Sequence, residues 1–548
     1  MNLGGNNVQP IFIMPEDTTR NTGRTALKNN IAAAKLVADT VRTTLGPKGM
    51  DKMLVDSVGD ITVTNDGVTI LDEMNIQNPA AKMMVEIAKT QKDEVGDGTT
   101  SAVVIGGELL KQAEDLLDSN IHPTVITKGY RMAATKSMEI LDSLSEKITM
   151  KDEKRLKDIA VTAMTGKNVT GDKALLAELA VEAILKIAEQ DGSTLYVDVG
   201  NIKIEKKEGG GWKDTRLIQG VVIDKDRVHS AMPRCVNSAK ILLLDKALEV
   251  EKTETDAKIR ITAPEQLDSF LEQEERQLKK IVDKVLASGA NVVFCQKGID
   301  DTVQYLLAQE KIFAARRVKK DDMDKIAKAT GGAVLSTLDN ISKTDLGFAG
   351  SVAEKKLGAE NMTFVEGCKN PKAVSIIIRG GTAHVVSEVE RAIGNAISDL
   401  AAALSVGKCL PGGGSTEVEL ARRLRMYSDS LPGREQLAVR AFSDALEVIP
   451  KTLAENGGLD PIDTLTDLKA KHDDNKPEAG LDVFTGKTAN MWKLGVVEPL
   501  KVKTQAIQSA SEAAIMLLRI DDVIAAGKSS GPPMPPGGMG GMGGMGGY

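Results

Sequence analysis

The pattern of apolar residues changes character twice along this chain, and that change limits the folds open to it. From Thr25 onward, Leu27, Ile31, Ala34, Ala38, Val41 and Leu45 recur with a helical period. Gly46-Pro47-Lys48-Gly49 then stops the helix. Met53–Val55, a Gly59-Asp60 turn and the alternating run Ile61-Thr62-Val63-Thr64 predict a hairpin, closed by Asn65-Asp66-Gly67. Two more helices are predicted over Pro79–Val95 and Thr99–Leu117, separated by Gly96-Asp97-Gly98. The middle third differs: Ile241–Leu244, Val292–Cys295, Phe313–Val318, Ala333–Leu335 and Val374–Ile378 are short, apolar and β-rich. Helical composition near Asp300–Gln309 and Asp321–Ala329 fills two of the gaps, the alternation of an α/β domain. After Ala396 the chain is Ala- and Leu-rich and helical again, broken at Pro411–Gly414 and Gly457-Gly458. The fold class is therefore multidomain α and α/β, with either one helical domain made from both ends or two independent ones.

An insert interrupts the strand-rich part. Between Asp245 and Arg260, nine of sixteen residues are charged, too many for a core segment. Thr262-Ala263-Pro264-Glu265 then fits a helix start, with Pro in the first turn. Leu267, Phe270, Leu271, Leu278, Ile281, Val282 and Val285 form one stripe of that helix, interrupted by Glu274 and Glu275. Two readings stand: a helix that projects from its domain, or an ordinary surface helix. At the ends, residues 1–24 read as a polar arm. The Gly, Pro and Met repeats after Lys528 lack the apolar content to offset backbone entropy and read as a disordered tail.

Composition removes several classes of function. The 548 residues give room for three to four domains at about 150 residues each. A net charge of −7 argues against nucleic acid as the main partner, which calls for a basic footprint. Aromatics make up 3%, so the core rests on Ala, Val, Ile, Leu and Met, and recognition by base or sugar stacking is disfavoured. Cys235, Cys295, Cys368 and Cys409 are too scattered to signal a zinc site or a disulfide framework. No apolar run approaches the roughly 18 residues of a membrane span. No basic residue precedes Arg20, and the apolar patch Ile11–Met14 is too short for a signal peptide. A cytoplasmic location and no membrane partner are expected.

The strongest local motif is Gly96-Asp97-Gly98-Thr99-Thr100-Ser101 at the start of a helix. Glycines admit a ligand close to the backbone, and free N–H groups with the helix dipole favour phosphate oxygens. Three hydroxyls add donors, and Asp97 is placed to hold Mg²⁺ against those phosphates. A capped helix with a Gly-rich turn is the plainer reading. Gly46-Pro47-Lys48-Gly49 is a second candidate phosphate loop or simply a helix stop. Asp66, directly after a strand, is a carboxylate on a rigid mount, suited to orienting water or serving as a hairpin residue. Pro411-Gly412-Gly413-Gly414-Ser415 either lets a backbone approach a flat or anionic ligand or is a flexible linker. The Gly-x-x-x-x-Gly-Lys-Ser/Thr loop is absent, as are His-Glu-x-x-His and Gly-x-Ser-x-Gly. His122, His229, His384 and His472 are scattered and read as structural or exposed.

These segments occur together and in this order in one family. The chain resembles a group II chaperonin subunit of the archaeal thermosome type, related to the eukaryotic cytosolic chaperonin. The resemblance covers nearly the whole chain. It is carried by TLGPKGMDKML at Thr44–Leu54, TVTNDGVTI at Thr62–Ile70 and GDGTTSAVV at Gly96–Val104. LIQGVVIDKDRVHSAMP at Leu217–Pro233, TAPEQLDSFLEQEE at Thr262–Glu275 and FVEGCKNPKAVSIIIRGGT at Phe364–Thr382 extend it. PGGGSTEVEL at Pro411–Leu420, GLDVFTG at Gly480–Gly486, GVVEPLKVKTQAI at Gly495–Ile507 and the GGM tail complete it.

The resemblance implies an equatorial helical domain from residues 1–150 and 411–527, with an intermediate hinge domain from 151–218 and 375–410. It implies an α/β apical domain from 219–374, with a helical lid protrusion near 245–285 and a disordered tail at 528–548. It further implies an ATP-driven chaperone whose identical or paralogous subunits form a double ring. That ring encloses unfolded or partly folded protein under a built-in lid. By position, Thr44, Leu45, Gly46 and Pro47 match the first nucleotide loop, and Asp97 matches the Mg²⁺ ligand. Gly98, Thr99, Thr100 and Ser101 match the phosphate contacts, and Gly413 the turn beside the nucleotide. Asp482 and Glu498 match the positions near the adenine and ribose. Lys167 matches the lysine that senses the γ-phosphate, and Asp66 one carboxylate that positions the attacking water.

One departure stands out. The family carries a second catalytic carboxylate in a pattern like ERALxDA, and here Glu390–Ala396 reads ERAIGNA, with Asn395 in place of that Asp. An amide does not accept a proton as a carboxylate does, and general-base help is worth about 10²–10⁴-fold. A neutral side chain still orients water, as Gln does in some GTPases, so slower turnover is implied. Asp399 lies one turn further, about 6 Å along the axis, too far to substitute unless the helix shifts. Two functions follow: an ATP-hydrolysing folding machine, or a subunit that holds ATP, hydrolyses it poorly and acts structurally in a mixed ring or as a holding chaperone.

Overall fold

The computed structural model describes residues 19–56, 58–166, 173–191, 194–250, 264–339, 341–358 and 360–525. Lys167, the charged stretch 251–263 and the tail at 528–548 lie outside the described residues, as does most of the arm at 1–24.

Helices from both ends of the chain share one core. Gly23–Arg42, Pro79–Val95, Thr99–Asp118 and Pro123–Leu144 pack with Ser415–Asp429, Glu435–Leu446, Val448–Gly457 and Leu500–Leu517. The helical period explains why: Ile31, Ala34, Ala38 and Val41 fall on one face of the first helix and are all buried. Small residues permit close approach. A Cβ added at Gly107 would overlap Ala38, so Gly23–Arg42 and Thr99–Asp118 pack nearly backbone to backbone. Tyr130 is the largest fully buried side chain, meets Phe442 edge-on at 5.6 Å and donates its hydroxyl to the Leu109 carbonyl at 2.7 Å. Strand Thr19–Thr22 runs antiparallel to Asp522–Ala525, and Arg20 pairs with Asp522 at 2.6 Å. The chain ends therefore do not form two separate helical cores.

A second core lies between helices Glu153–Thr165, Lys173–Ile187 and Ala383–Val406 and a three-stranded sheet. In that sheet Val374–Gly380 runs parallel to Ile202–Glu208 and antiparallel to Arg216–Ile218. Val374–Gly380 thus belongs here and not, as its composition alone suggests, to the larger sheet. Leu156, Ile159, Ile376, Ile378, Ile393 and Leu400 fill the space between.

Among the described residues the larger sheet has seven strands. Its order runs Phe313–Ala315, Val292–Cys295, Cys235–Leu244, Gly347–Leu357, Glu360–Glu366 and Gly220–Ile223, and Val334–Leu335 pairs with Cys235–Leu244 off that path. Val292–Cys295 runs parallel to Cys235–Leu244 and Gly347–Leu357 antiparallel to it, so the sheet is mixed. Ile241–Leu244 is buried on both faces, which accounts for its unbroken apolar run. Helix Pro264–Ser288 buries Leu278, Val282 and Val285 in its C-terminal half, whereas Phe270 and Leu271 are exposed. Its apolar stripe therefore runs beyond the surface that covers it. Among the described residues no helix is long and apolar enough to cross a membrane.

Candidate functional site

A cavity of about 490 Å³ opens where the helical core meets the second core. Its wall includes Thr44, Leu45, Gly46, Pro47, Asp66, Asp97, Gly98, Thr99, Thr100, Ser101, Gly413, Asp482 and Glu498. Segments spread over more than 450 positions thus converge on one hollow. Asn395 is not part of the wall but touches it through Asp97. Lys167 lies outside the described residues; Gly166 before it lines the cavity and accepts a hydrogen bond from Asn65 Nδ2 at 2.5 Å.

The centre of the site is the break between Pro79–Val95 and Thr99–Asp118. Gly96 closes the first helix at φ +80°, and Gly98 opens the second at φ +75°. A Cβ at Gly98 would stand 2.8 Å from Val502 Cγ1, so both conformation and space call for glycine. Gln91 Nε2 pins the loop by donating to the Asp97 carbonyl at 2.9 Å and the Val502 carbonyl at 3.1 Å. The first intrahelical bond runs from the Ala102 N–H to the Gly98 carbonyl. The N–H groups of Thr99, Thr100 and Ser101 therefore have no partner within the helix and stand at its positive end.

Each flanking segment is held by named contacts. Asn456 Nδ2 donates to the Arg42 carbonyl at 3.1 Å and the Leu45 carbonyl at 2.9 Å, which fixes the Thr44–Pro47 loop against helix Val448–Gly457. Thr44 spends its own hydroxyl on the Val41 carbonyl at 2.8 Å. Asp66 caps helix Gly67–Glu73: its Oδ2 accepts from the Thr69 hydroxyl at 2.8 Å, and Lys92 Nζ stands 3.4 Å away. Gly413 and Gly414 adopt positive φ, and the Leu481 N–H donates to the Gly413 carbonyl at 2.9 Å. Asp482 accepts from the Thr485 hydroxyl at 2.7 Å and from the Phe484 N–H at 3.0 Å. The Thr485 contact is the main reason its carboxyl sits below the usual carboxylate range.

Two groups in the wall were not singled out by the motifs. Lys503 is nearly buried and bridges Glu417 at 2.6 Å and Glu498 at 2.5 Å. Burial works to lower its ammonium, but the two carboxylates outweigh it and hold Lys503 above its ordinary value. Burial pushes the Glu498 carboxyl up, against the pull of Lys503. The signal for Lys503 was its place on the face of Leu500–Leu517 that also carries Val502, Ala506 and Ile507. The other is Asp399, weighed above only as a distant substitute; it is buried and lines the cavity. Asn395 Nδ2 donates to Asp97 Oδ1 at 3.2 Å, tying the long helix Ala383–Val406 to the glycine loop.

The charge balance of the wall limits what it can hold. Asp66, Asp97, Asp399, Asp482 and Glu498 line it, and among the described residues Lys503 is the one cation that does. Lys503 is already matched by Glu417. A polyphosphate seated on the Thr99–Ser101 amides therefore needs a cation beside Asp97. Among the described residues no group of three or more His, Cys, Asp or Glu side chains forms a metal cage. One carboxylate with neighbouring hydroxyls fits Mg²⁺, which takes most of its oxygens from phosphates and water.

Comparison with known proteins gives a consistent picture. The model of the TCP-1/cpn60 chaperonin family matches residues 37–528. A thermosome subunit of Methanopyrus kandleri is 61% identical over 520 residues, 95% of each chain. The thermosome subunit beta of Thermococcus kodakarensis is 59% identical over 520 residues, again 95% of each. Among solved structures, the open-state monomer of a group II chaperonin from Methanococcoides burtonii aligns with a TM-score of 0.59 and 46% identity. It covers 78% of this chain and 100% of that one.

Proposed function

This chain belongs to the TCP-1/cpn60 chaperonin family as a group II chaperonin subunit, and we propose that its cavity binds Mg-ATP and hydrolyses it to drive a folding chamber. It is an ATP-dependent chaperone. The observation that carries the nucleotide assignment is the Gly96–Ser101 turn, whose unpaired amides and Asp97 face the cavity at the start of a 20-residue helix.

In this reading the Thr99, Thr100 and Ser101 amides and hydroxyls take the phosphates, and Asp97 holds Mg²⁺. The cation, when bound, offsets the negative charge of phosphates and wall alike. The Thr44–Pro47 loop and Gly413 flank the nucleotide, and Asp482 and Glu498 lie near its adenine and ribose. Asp66 orients the attacking water. Lys167 reports the γ-phosphate from the intermediate domain. Asn395 is an amide and does not abstract a proton, so hydrolysis either runs slower than with a carboxylate there or draws its base from elsewhere.

The domain division proposed is equatorial 1–150 and 411–527, intermediate 151–218 and 375–410, and apical 219–374. The separate cores described above support it. Identical or paralogous subunits would close a double ring around unfolded or partly folded protein, under lids formed by the segment near 245–285. A cytoplasmic location is part of the proposal. The test is Mg-ATP binding by calorimetry, together with ATP-dependent refolding of a denatured client by the assembled protein. Binding with refolding supports the reading. Binding without turnover or refolding would select the ATP-holding subunit, and no binding would refute the site.

A further inference from the structure

We infer that Asp399 is the second catalytic carboxylate of this chain, displaced one helical turn from the position that Asn395 occupies. The inference rests on the reading of the cavity as an ATP site. Helix Ala383–Val406 runs unbroken through both residues, so they share a face about 6 Å apart along the axis. Asn395 is committed to Asp97 and lies outside the cavity wall, whereas Asp399 is in the wall and only 3% exposed. The helix also packs tightly against the glycine loop at Ser398, which a Cβ added at Gly96 would overlap.

Asp399 sits in apolar company on its own helix. The neighbours on the helix, Ala396, Ile397, Leu400 and Ala403, are buried and apolar. Carboxylates are rarely buried to this degree, and Asp is a weak helix former. The Asp399 carboxylate belongs to the wall of the same cavity as Asp66 and Asp97. The step assigned to it is proton acceptance. The oxygen of water forms a bond to the γ-phosphorus, and the bond from that phosphorus to the β–γ bridging oxygen breaks. The electron pair leaves with ADP, and the water proton passes to the Asp399 carboxylate.

The test is steady-state ATP hydrolysis by the assembled protein, with ATP affinity measured in parallel for the parent, Asp399→Asn and Asn395→Asp. Asp399→Asn is expected to lower kcat by about 10²-fold or more while ATP affinity stays within about threefold. Asn395→Asp, which leaves Asp399 in place, is expected not to raise kcat by about tenfold or more. Parent-like turnover of Asp399→Asn overturns the inference. So does a gain of tenfold or more in Asn395→Asp, which would put the missing base at 395. If Asp399→Asn does not assemble, the Asn395→Asp arm decides alone. A parent that binds Mg-ATP without turnover overturns the role of Asp399 but leaves the binding site standing. A parent that does not bind ATP overturns the reading on which the inference rests.

Discussion

Replacing Lys503 by methionine removes the one described cation from the cavity wall, and the structure sets the size of the effect. Lys503 Nζ stands 2.6 Å from Glu417 and 2.5 Å from Glu498, and the Glu417 side chain is 3% exposed. Methionine keeps the volume but leaves Glu417 with a buried charge and no cation. Breaking a buried pair from one side costs about 3–5 kcal/mol, more than the pair contributes against an apolar replacement. The loss falls on the contact between Leu500–Leu517 and Ser415–Asp429, which carry the two partners. Hydrogen exchange reads it locally, and a multidomain chain gives no single unfolding free energy to read instead. Amides of both helices should exchange faster by roughly two to three and a half decades, at about 1.4 kcal/mol per tenfold. Adding Glu417→Gln to Lys503→Met removes the stranded charge and should restore most of the protection. Exchange within about threefold of the parent in Lys503→Met would refute the reasoning, as would a double variant no better protected than the single one.

Other outcomes follow from the same geometry. Asp97→Asn should weaken Mg-ATP binding by at least about 10²-fold by calorimetry while metal-free ADP binding changes far less, because the lost charge is the one beside the cation. Gly98→Ala places a Cβ 2.8 Å from Val502 at φ +75°. The backbone strain alone is about 1–2 kcal/mol, so nucleotide affinity should fall roughly tenfold with ring assembly intact by sedimentation. Burial works to raise the Glu419 carboxyl, but hydrogen bonds from His472 and Arg423 outweigh it and leave it below its ordinary 4.5. A depressed carboxyl contributes stability that is complete above the unfolded value and is lost as pH falls through the folded one. Thermal melts between pH 7 and pH 3 should therefore steepen below about pH 4.5 in the parent and flatten there in Glu419→Gln.

Much of the site could be read from residues, because its parts are local signals. Gly96-Asp97-Gly98 announces a loop that needs positive φ, and the structure has it at both glycines. The hairpin was visible in the alternation of Ile61–Thr64, which pairs with Lys52–Val55. The signal for Lys503 was weak, its place on the buried helix face, because a lysine in LKVKTQ reads as solvent-facing. What makes its burial tolerable is Glu417, 86 positions away and on another helix. Asp399 looked one turn too far because helical spacing says nothing of which turn faces the loop. The missed strand Gly347–Leu357 sits in the large sheet, but outward-facing Gly350, Lys355 and Lys356 dilute its apolar signal. The choice between one helical core and two could not be made from periodicity, which fixes the buried face of each helix but not its partner.

The strand pair that clasps Thr19–Thr22 to Asp522–Ala525 also sets a timetable for synthesis. The helices that end at Leu144 leave the ribosome with their apolar faces open, and their partners from Ser415 onward do not yet exist. At about 5–20 residues per second, the last strand emerges roughly 20–75 s after Leu144. The large sheet, drawn from one continuous stretch of chain, needs no such wait. The newborn subunit therefore passes through a long interval in which its middle can be folded while its first helices are sticky, unfinished surfaces. A chaperone subunit is, for that interval, itself a chain in need of shelter.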